Sequence, residues 1–339
     1  MRIHCRWMVL ALGLPIILAS AAMGAASAPD PDAGARKAWH ILFVNSRLIA
    51  ERPQKWTDDI WISNGDGSGR RLLINNGERP SWSPDHKRFA FFRDANLWLA
   101  NADGSGQVQV TTRWKPADAG YSQKYTSRIS WGPLPGRVVF SRPGAGVLEA
   151  FLGPGGGQLR ELFGGEDGGI GDTCPVWSPS GEHLAWAREG DIWIARRNMA
   201  IAPGGDGDRT PYPWSYTRLA AVARYDYATD HGSMWGYGAT HIAWSPNGNL
   251  LAYGMNRYGG SGIDRIRLMR LFRTGKEYEV SDMGLEVVTD YEVTEEGRDP
   301  CFSPDGQRIV YCYDGDIRIT TLDGKWSHVL FKGGEQPCL

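Results

Sequence analysis

The chain has 339 residues, 37 basic against 38 acidic side chains, and only 22% charged residues. No run of Lys or Arg exceeds two residues, so the basic stripe that polyanion binding needs is missing and nucleic acid is not an expected partner. Gly and Pro together make 64 of the 339 residues, above the roughly 12% of average usage but below the level of disordered chains, which points to an ordered, turn-rich β protein.

The first segment reads as a leader. Arg2 and Arg6 precede an apolar run over 7–18, and small residues fill 19–28, the layout of a secretory signal peptide. Cleavage after Gly24 or Ala26 avoids placing Pro29 beside the scissile bond, so residues 1–26 are taken as the signal and 27–39 as a short N-terminal linker. The apolar run is shorter than the about 20 residues of a spanning helix, and no later segment is long enough. Cys5 lies in the positive end of the leader, where lipidation would not place it. The expectation is an exported protein, periplasmic or secreted, with no membrane span.

Residues 40–44 then carry apolar side chains two apart at Ile41 and Phe43, one face of a strand. Residues 59–62 give a second alternating segment, and the turn Asn64-Gly-Asp-Gly-Ser-Gly69 follows it. From there one register recurs: Pro80-Ser-Trp82-Ser-Pro84, Ile129-Ser-Trp131-Gly-Pro133, Pro175-Val-Trp177-Ser-Pro179, Ile242-Ala-Trp244-Ser-Pro246 and Pro300-Cys-Phe302-Ser-Pro304. Seven residues after each aromatic stands Phe89, Val138, Leu184, Leu251 or Ile309; nine after stands Phe91, Phe140, Trp186, Tyr253 or Tyr311. Each unit therefore opens with a hairpin whose turn is built from Ser, Pro, Asp, Asn and Gly. A third strand is visible at 96–99, 191–194 and 316–319, and tight turns such as Asn101-Ala-Asp-Gly-Ser-Gly106 lead into a fourth. Four antiparallel strands per unit make a propeller blade. Anchor spacings of 49, 46, 67 and 58 residues fit blades of about 40 to 50 residues with insertions.

The chain ends at 335–339 with Pro337 and Leu339 in the Pro and aromatic positions of a sixth unit, whose second strand is supplied by residues 40–44. The expected fold is all-β: a six-bladed β-propeller over 40–339 closed by N- and C-terminal strands sharing one blade, which leaves no open sheet edge.

The Trp-Ser-Pro-Asp-His and Phe-Ser-Pro-Asp-Gly turns, with Asn-Ala-Asp-Gly-Ser-Gly one hairpin later, resemble the WD40-like (PD40) repeats of the TolB-like propeller family, over residues 38–339. The resemblance implies the propeller fold, a periplasmic setting and a protein-binding role at the cell envelope. Members of that family carry an N-terminal α/β domain, for which the few residues after the leader leave no room. The repeats also resemble the gating propeller of prolyl-oligopeptidase-type peptidases, but no Gly-x-Ser-x-Gly elbow is present.

In a propeller the second-to-third strand loops and the blade connections open on one face. That step is short in three blades but takes 17 residues from Phe43 to Ile60 and 13 from Tyr253 to Ile266, and the connections over 113–127 and 217–240 are also long. All four excursions share one face, the expected functional face. Within the last of them Tyr225, Tyr227, Trp235 and Tyr237 form a candidate aromatic platform for a sugar or peptide, with Asp226, Asp230 and His231 as polar partners. A loop folded on its own aromatics explains the same residues. The second candidate is the mouth of the central channel, where Glu78, Arg79, Asp172, Thr173, Thr240, His241, Arg298, Asp299, Glu335 and Gln336 precede the innermost strands. Mixed charge there can clamp a charged peptide or sugar acid, or the residues can pair among themselves. Of these, Arg79, His241, Arg298 and Asp299 are taken as binding residues.

A metal at Asp230, His231 and His241 is conceivable, yet the spacing matches no zinc motif, and neither metal nor other cofactor is expected. Cys174, Cys301, Cys312 and Cys338 are expected as buried thiols, because innermost strands of neighbouring blades lie too far apart for a bridge. The functional expectation is a monomeric, non-enzymatic binder of an envelope protein or polysaccharide. The alternative is a carbohydrate-active enzyme, for which oligogalacturonate lyase, also built on TolB-like repeats, is the parallel.

Overall fold

The serine of each Ser-Pro turn is what folds the first two strands of a unit together. Ser83 Oγ donates to the Asp85 carboxylate at 2.6 Å and accepts from Arg88 N at 3.0 Å. Ser245 repeats this with Asn247 and Leu250 N, and Ser303 with Asp305 and Arg308 N. The motif is thus a turn device, whose hydroxyl occupies backbone groups that the ladder leaves open.

The structure, a computed structural model, describes residues 33–51, 54–112, 128–132, 135–142, 146–152, 157–163, 173–188, 191–196, 215–220, 238–256, 265–273, 285–294 and 296–339. A four-residue helix, α1 (Ala33–Arg36), precedes the sheets. Blade 1 contains β1 (His40–Glu51), β2 (Gln54–Asn64) and β3 (Arg71–Ile74). Blade 2 is β4 (Glu78–Trp82), β5 (Arg88–Arg93), β6 (Asn96–Asn101) and β7 (Val108–Gln109). Blade 3 is β8 (Ile129–Trp131), β9 (Arg137–Arg142), β10 (Gly146–Phe151) and β11 (Gln158–Phe163). Blade 4 is β12 (Thr173–Trp177), β13 (His183–Arg188), β14 (Asp191–Arg196) and β15 (Ser215–Ala220). Blade 5 is β16 (Gly238–Trp244), β17 (Leu250–Asn256), β18 (Arg265–Arg273) and β19 (Leu285–Thr294). Blade 6 is β20 (Arg298–Phe302), β21 (Arg308–Tyr313), β22 (Asp316–Thr321) and β23 (Ser327–Lys332). The last strand, β24 (Glu335–Cys338), returns to blade 1.

Each sheet runs in chain order from the axis outward except the first, whose order is β24-β1-β2-β3. The closing strand pairs antiparallel with β1 through Leu42↔Cys338 and Val44↔Glu335, so the termini share one blade as the hairpin register requires.

The core is six wedges between sheets, not one centre. Leu42, Val44 and Ile60 of blade 1 pack on Trp82, Phe89 and Phe91 of blade 2. The same arrangement joins blades 2 and 3, 3 and 4, 4 and 5, 5 and 6, and finally 6 and 1 through Val310, Ile317, Ile41 and Phe43. The repeat tryptophans stitch the wedges: Trp82, Trp131 and Trp244 each donate the indole N–H to a carbonyl of the preceding blade, at His40, Ser81 and Val176. Gly104 serves the outer rim. At φ 88°, it stands where a Cβ would come 2.8 Å from the Leu73 carbonyl of blade 1, so the turn needs both a left-handed backbone and no side chain.

Two features differ from the sequence expectation. The 17 residues from Phe43 to Ile60 are not a loop: β1 and β2 stay paired out to Leu48↔Trp56 and, past a bulge, to Glu51↔Gln54. Blade 1 therefore carries an arm that extends well past its inner strand. The asymmetry between faces is also weaker than the four long excursions imply. Residues 197–214 and 274–284 link third to fourth strands, the turns that open on the opposite face.

Candidate functional site

The aromatic candidates Tyr225, Tyr227, Trp235 and Tyr237, with Asp230 and His231, fall between β15 and β16 and lie outside the described residues. The channel candidates are described, and the structure brings them together.

The repeat explains how. In blades 2, 4, 5, 6 and 1 the innermost strand bulges at one place: the register slips between Glu78 and Ser81, Thr173 and Val176, Thr240 and Ala243, Arg298 and Cys301, and opposite Leu42 and Val44. A bulge inserts one extra residue, bends the strand and re-aims a side chain. In four of the five a proline, Pro80, Pro175, Pro300 or Pro337, occupies the bulge, where its missing N–H removes nothing from the ladder. The residue before it adopts a left-handed backbone: Arg79 at φ 54°, Cys174 at 51°, His241 at 51°, Asp299 at 54° and Gln336 at 53°. Such conformations cost on the order of 1 kcal/mol each for a non-glycine residue and concentrate at functional sites. Blade 3 contributes Arg128 from the equivalent place. One polar or thiol side chain per blade thus meets at the axis.

These side chains reach across the axis as well as around it. Arg79 Nη1 lies 3.1 Å from Asp299 Oδ1, although blade 1 stands between blades 2 and 6, so this ion pair passes through the centre. Arg128 Nη1 donates to the carbonyls of His241, Ile242 and Pro300 at 3.1 to 3.3 Å, spanning from blade 3 to blades 5 and 6. The Gln336 carbonyl oxygen accepts from Arg79 N at 2.8 Å. Toward solvent, Arg298 Nη2 pairs with Glu335 at 2.9 Å and its Nε stands 3.9 Å from Asp299. Arg79, His241, Asp299, Cys174 and Gln336 are all buried.

Burial would raise the Asp299 carboxyl, but His241 and the guanidiniums of Arg79, Arg128 and Arg298 together hold it below its ordinary value. Burial pushes His241 the other way, down to about 4, against the pull of Asp299. At neutral pH the ring is therefore an uncharged imidazole beside a carboxylate. Its Nε2 lies 3.2 Å from Asp299 Oδ1, but the approach misses hydrogen-bond direction, and both ring nitrogens and Arg79 Nε have no hydrogen-bond partner among the described residues. The guanidiniums of Arg79, Arg128 and Arg298 gather around Asp299 and Glu335, with Glu78 at the same mouth and unfilled donors on Arg79 and His241. Chemically this is a receptor for an anionic, hydrogen-bonding group. Among the described residues no group of three or more His, Cys, Asp or Glu could hold a metal ion.

The ring has two members beyond the sequence expectation: Arg128 in blade 3, and in blade 4 Cys174 where Asp172 and Thr173 are expected. The signal was available: counting three back from Trp82, Trp131, Trp177, Trp244, Phe302 and Leu339 gives Arg79, Arg128, Cys174, His241, Asp299 and Gln336. None of the four cysteines forms a disulfide, and Cys174, Cys301 and Cys312 are buried. Burial raises all of them, Cys312 to about 12.

No protein-family model and no curated protein matches the chain. Solved structures do. TolB from Acinetobacter baumannii superposes with a TM-score of 0.59 at 19% identity, over 89% of this chain and 67% of that one. A chain of a nidogen/laminin complex gives 0.56 at 10% identity, over 88% and 97%. The Cps50 (Swd1) β-propeller domain from Myceliophteria thermophila gives 0.50 at 11%, over 87% and 86%. At these identities the likeness concerns the fold. With six four-stranded blades and a shared terminal blade, the chain is a six-bladed β-propeller whose fold is similar to that of TolB.

Proposed function

We propose that this is an exported, non-catalytic propeller that binds a protein or cell-envelope polymer at the face where the channel mouth opens. The observation that carries the reading is the axial ring. Left-handed backbones at Arg79, Cys174, His241, Asp299 and Gln336, and a cross-channel network that includes Arg128, bring these side chains to one place, with buried donors left open. Stability alone does not call for such an arrangement, because apolar packing between blades already holds the ring. Mature chain, from residue 27, is expected to capture a specific partner from envelope extract, periplasmic or secreted in origin. Arg298, at the exposed edge of the ring, is expected to contribute with Arg79, His241 and Asp299. In the segment over 221–237, Tyr225, Tyr227, Trp235 and Tyr237 would supply an aromatic platform, and Asp230 and His231 its polar contacts.

The experiment is capture with wild-type chain, with Arg298→Gln and with the triple variant Tyr225→Ala, Tyr227→Ala, Trp235→Ala, each checked by thermal melting. Anchors of this kind are worth more than about 2 kcal/mol of binding with the melt unchanged. A melt that falls while capture persists assigns the aromatics to packing. Turnover of uronate oligomers abolished by His231→Ala or His241→Ala would replace the binding role with a lyase-like one.

A further inference from the structure

The arm of blade 1 supplies a second element of this face. β24, the inner neighbour of β1, makes its last pair at Val44↔Glu335, whereas β1 continues to Glu51, paired on its other side with β2. Among the described residues nothing pairs with the inner edge of β1 from Asn45 onward. Every second residue of a strand turns its N–H and C=O toward that edge, and an open edge is a template for another strand. Such edges are ordinarily blunted by Pro, charged side chains, a bulge or cover; residues 45–51, Asn-Ser-Arg-Leu-Ile-Ala-Glu, include neither Pro nor Lys, and the bulge lies past Leu48, so the edge over 45–48 is regular. Leu48 and Ile49 stand 38% and 44% exposed on it. The outer side is braced: Ser46 Oγ donates to Asp58 and Arg47 Nε to Asp59.

Geometry fixes where an added strand would lead. β24 and β1 are antiparallel, so the open edge begins one residue beyond Glu335, and Glu335 is the partner of Arg298. A peptide pairing antiparallel to β1 runs down the arm in line with β24 and brings its C-terminal end to the Glu335–Arg298 pair at the edge of the ring. The regular ladder from Asn45 to Leu48, ahead of the bulge at Ile49, accommodates about four residues, roughly 13 Å of strand. A parallel peptide would bring an ammonium to three guanidiniums, which charge forbids.

We propose that the inner edge of the arm at Asn45–Leu48 receives the extended C-terminal peptide of a partner protein as an added antiparallel strand, and that its terminal carboxylate is bound at the channel mouth by Arg298, with Arg79 and Arg128 contributing charge. This deepens the binding reading and rests on it. Backbone pairing supplies sequence-tolerant affinity, and the carboxylate supplies direction and register.

The probe is a pool of random hexapeptides with free C-terminal carboxylates, compared with the same pool amidated, incubated with full chain and quantified by mass spectrometry after separation of bound peptide. The free-acid pool is expected to be retained and the amidated pool to bind roughly 30-fold more weakly, the loss that follows removal of one partner of a charge pair. Arg298→Gln is expected to abolish that difference. Peptides from the retained set are N-methylated at either of the two alternate sets of backbone nitrogens: methylation of the set that faces β1 is expected to abolish binding and that of the other set to weaken it less, a readout that needs no variant to fold. Equal retention of acid and amide pools overturns the carboxylate assignment. Indifference to N-methylation overturns strand addition. If envelope extract still yields a partner while neither pool binds, the inference fails and the broader binding role stands. Sedimentation provides the last arm: self-association lost on Leu48→Lys, with no peptide retained, would mean that the edge pairs with a second copy of this chain and would overturn the proposal.

Discussion

Lowering the pH tests the axial ring through His241. The imidazole is buried, with Asp299, Arg79, Arg128 and Arg298 as its charged neighbours, and its pKa falls from an ordinary 6.5 to about 4, mainly through burial. The folded state therefore disfavours the protonated form. Stability from this group is complete above pH 6.5, declines as the unfolded chain takes up a proton that the folded chain refuses, and stops declining below about pH 4, where both are protonated. At about 1.4 kcal/mol per pH unit, the window from 6.5 to 4 is worth about 3 kcal/mol. His241→Asn removes the titration and keeps a residue that tolerates a left-handed backbone. Urea unfolding of both proteins at pH 7, 6, 5 and 4 gives the result as a difference, in which acid effects elsewhere cancel. The gap in unfolding free energy is expected to move by about 3 kcal/mol in favour of the variant between pH 7 and pH 4. Parallel pH curves for the two proteins would refute the buried, neutral imidazole, and with it the account of the ring's charge.

Other outcomes follow from the same coordinates. Deleting residues 335–339 removes β24 and the Gln336 bond to Arg79 N, and is expected to turn cooperative unfolding into a broad transition with aggregation from the exposed inner edge of β1, followed by light scattering during a melt. Maleimide at pH 8 is expected to leave Cys174, Cys301 and Cys312 unmodified in the folded chain and to label them in urea, since burial raises each thiol; rapid labelling without denaturant would place them at the surface. Tyr253→Phe removes a hydroxyl that donates to the Asp290 carboxylate at about 3 Å and accepts from Arg267 Nε at 3.1 Å. It is expected to cost about 1.5 kcal/mol in urea melts, and an unchanged midpoint would count against that network.

Much of this architecture is legible because its signals are local. Apolar residues two apart and a Ser-Pro turn define each hairpin, and the closing of the ring follows from finding half a hairpin at either end, 335–339 and 40–44. The third strand of blade 3, Gly146–Phe151, was not legible: Val147, Leu148 and Ala150 are all buried, because neighbouring blades cover both faces and alternation disappears. The arm was not legible either, since Asn45 to Thr57 carries charged and apolar residues without strict alternation, and only pairing with its own other half makes it a ladder. At the axis the repeat states which residue of each blade faces the channel. It does not state that Arg79 meets Asp299 past an intervening blade, because that depends on the lengths of side chains from units remote in sequence.

The shared terminal blade also sets an order of events. Cys338 finds Leu42 across almost the whole chain, and β24 is synthesised after every other strand. Until it arrives blade 1 has only three strands, β1 is bare along its full inner edge and the Gln336 contact to Arg79 cannot form. Closing so long a loop carries a large entropic cost that no local contact offsets, so completion of the propeller is a late step. In that order of events β24 is the latch: its pairing with β1 completes blade 1 and turns an open arc of blades into a ring.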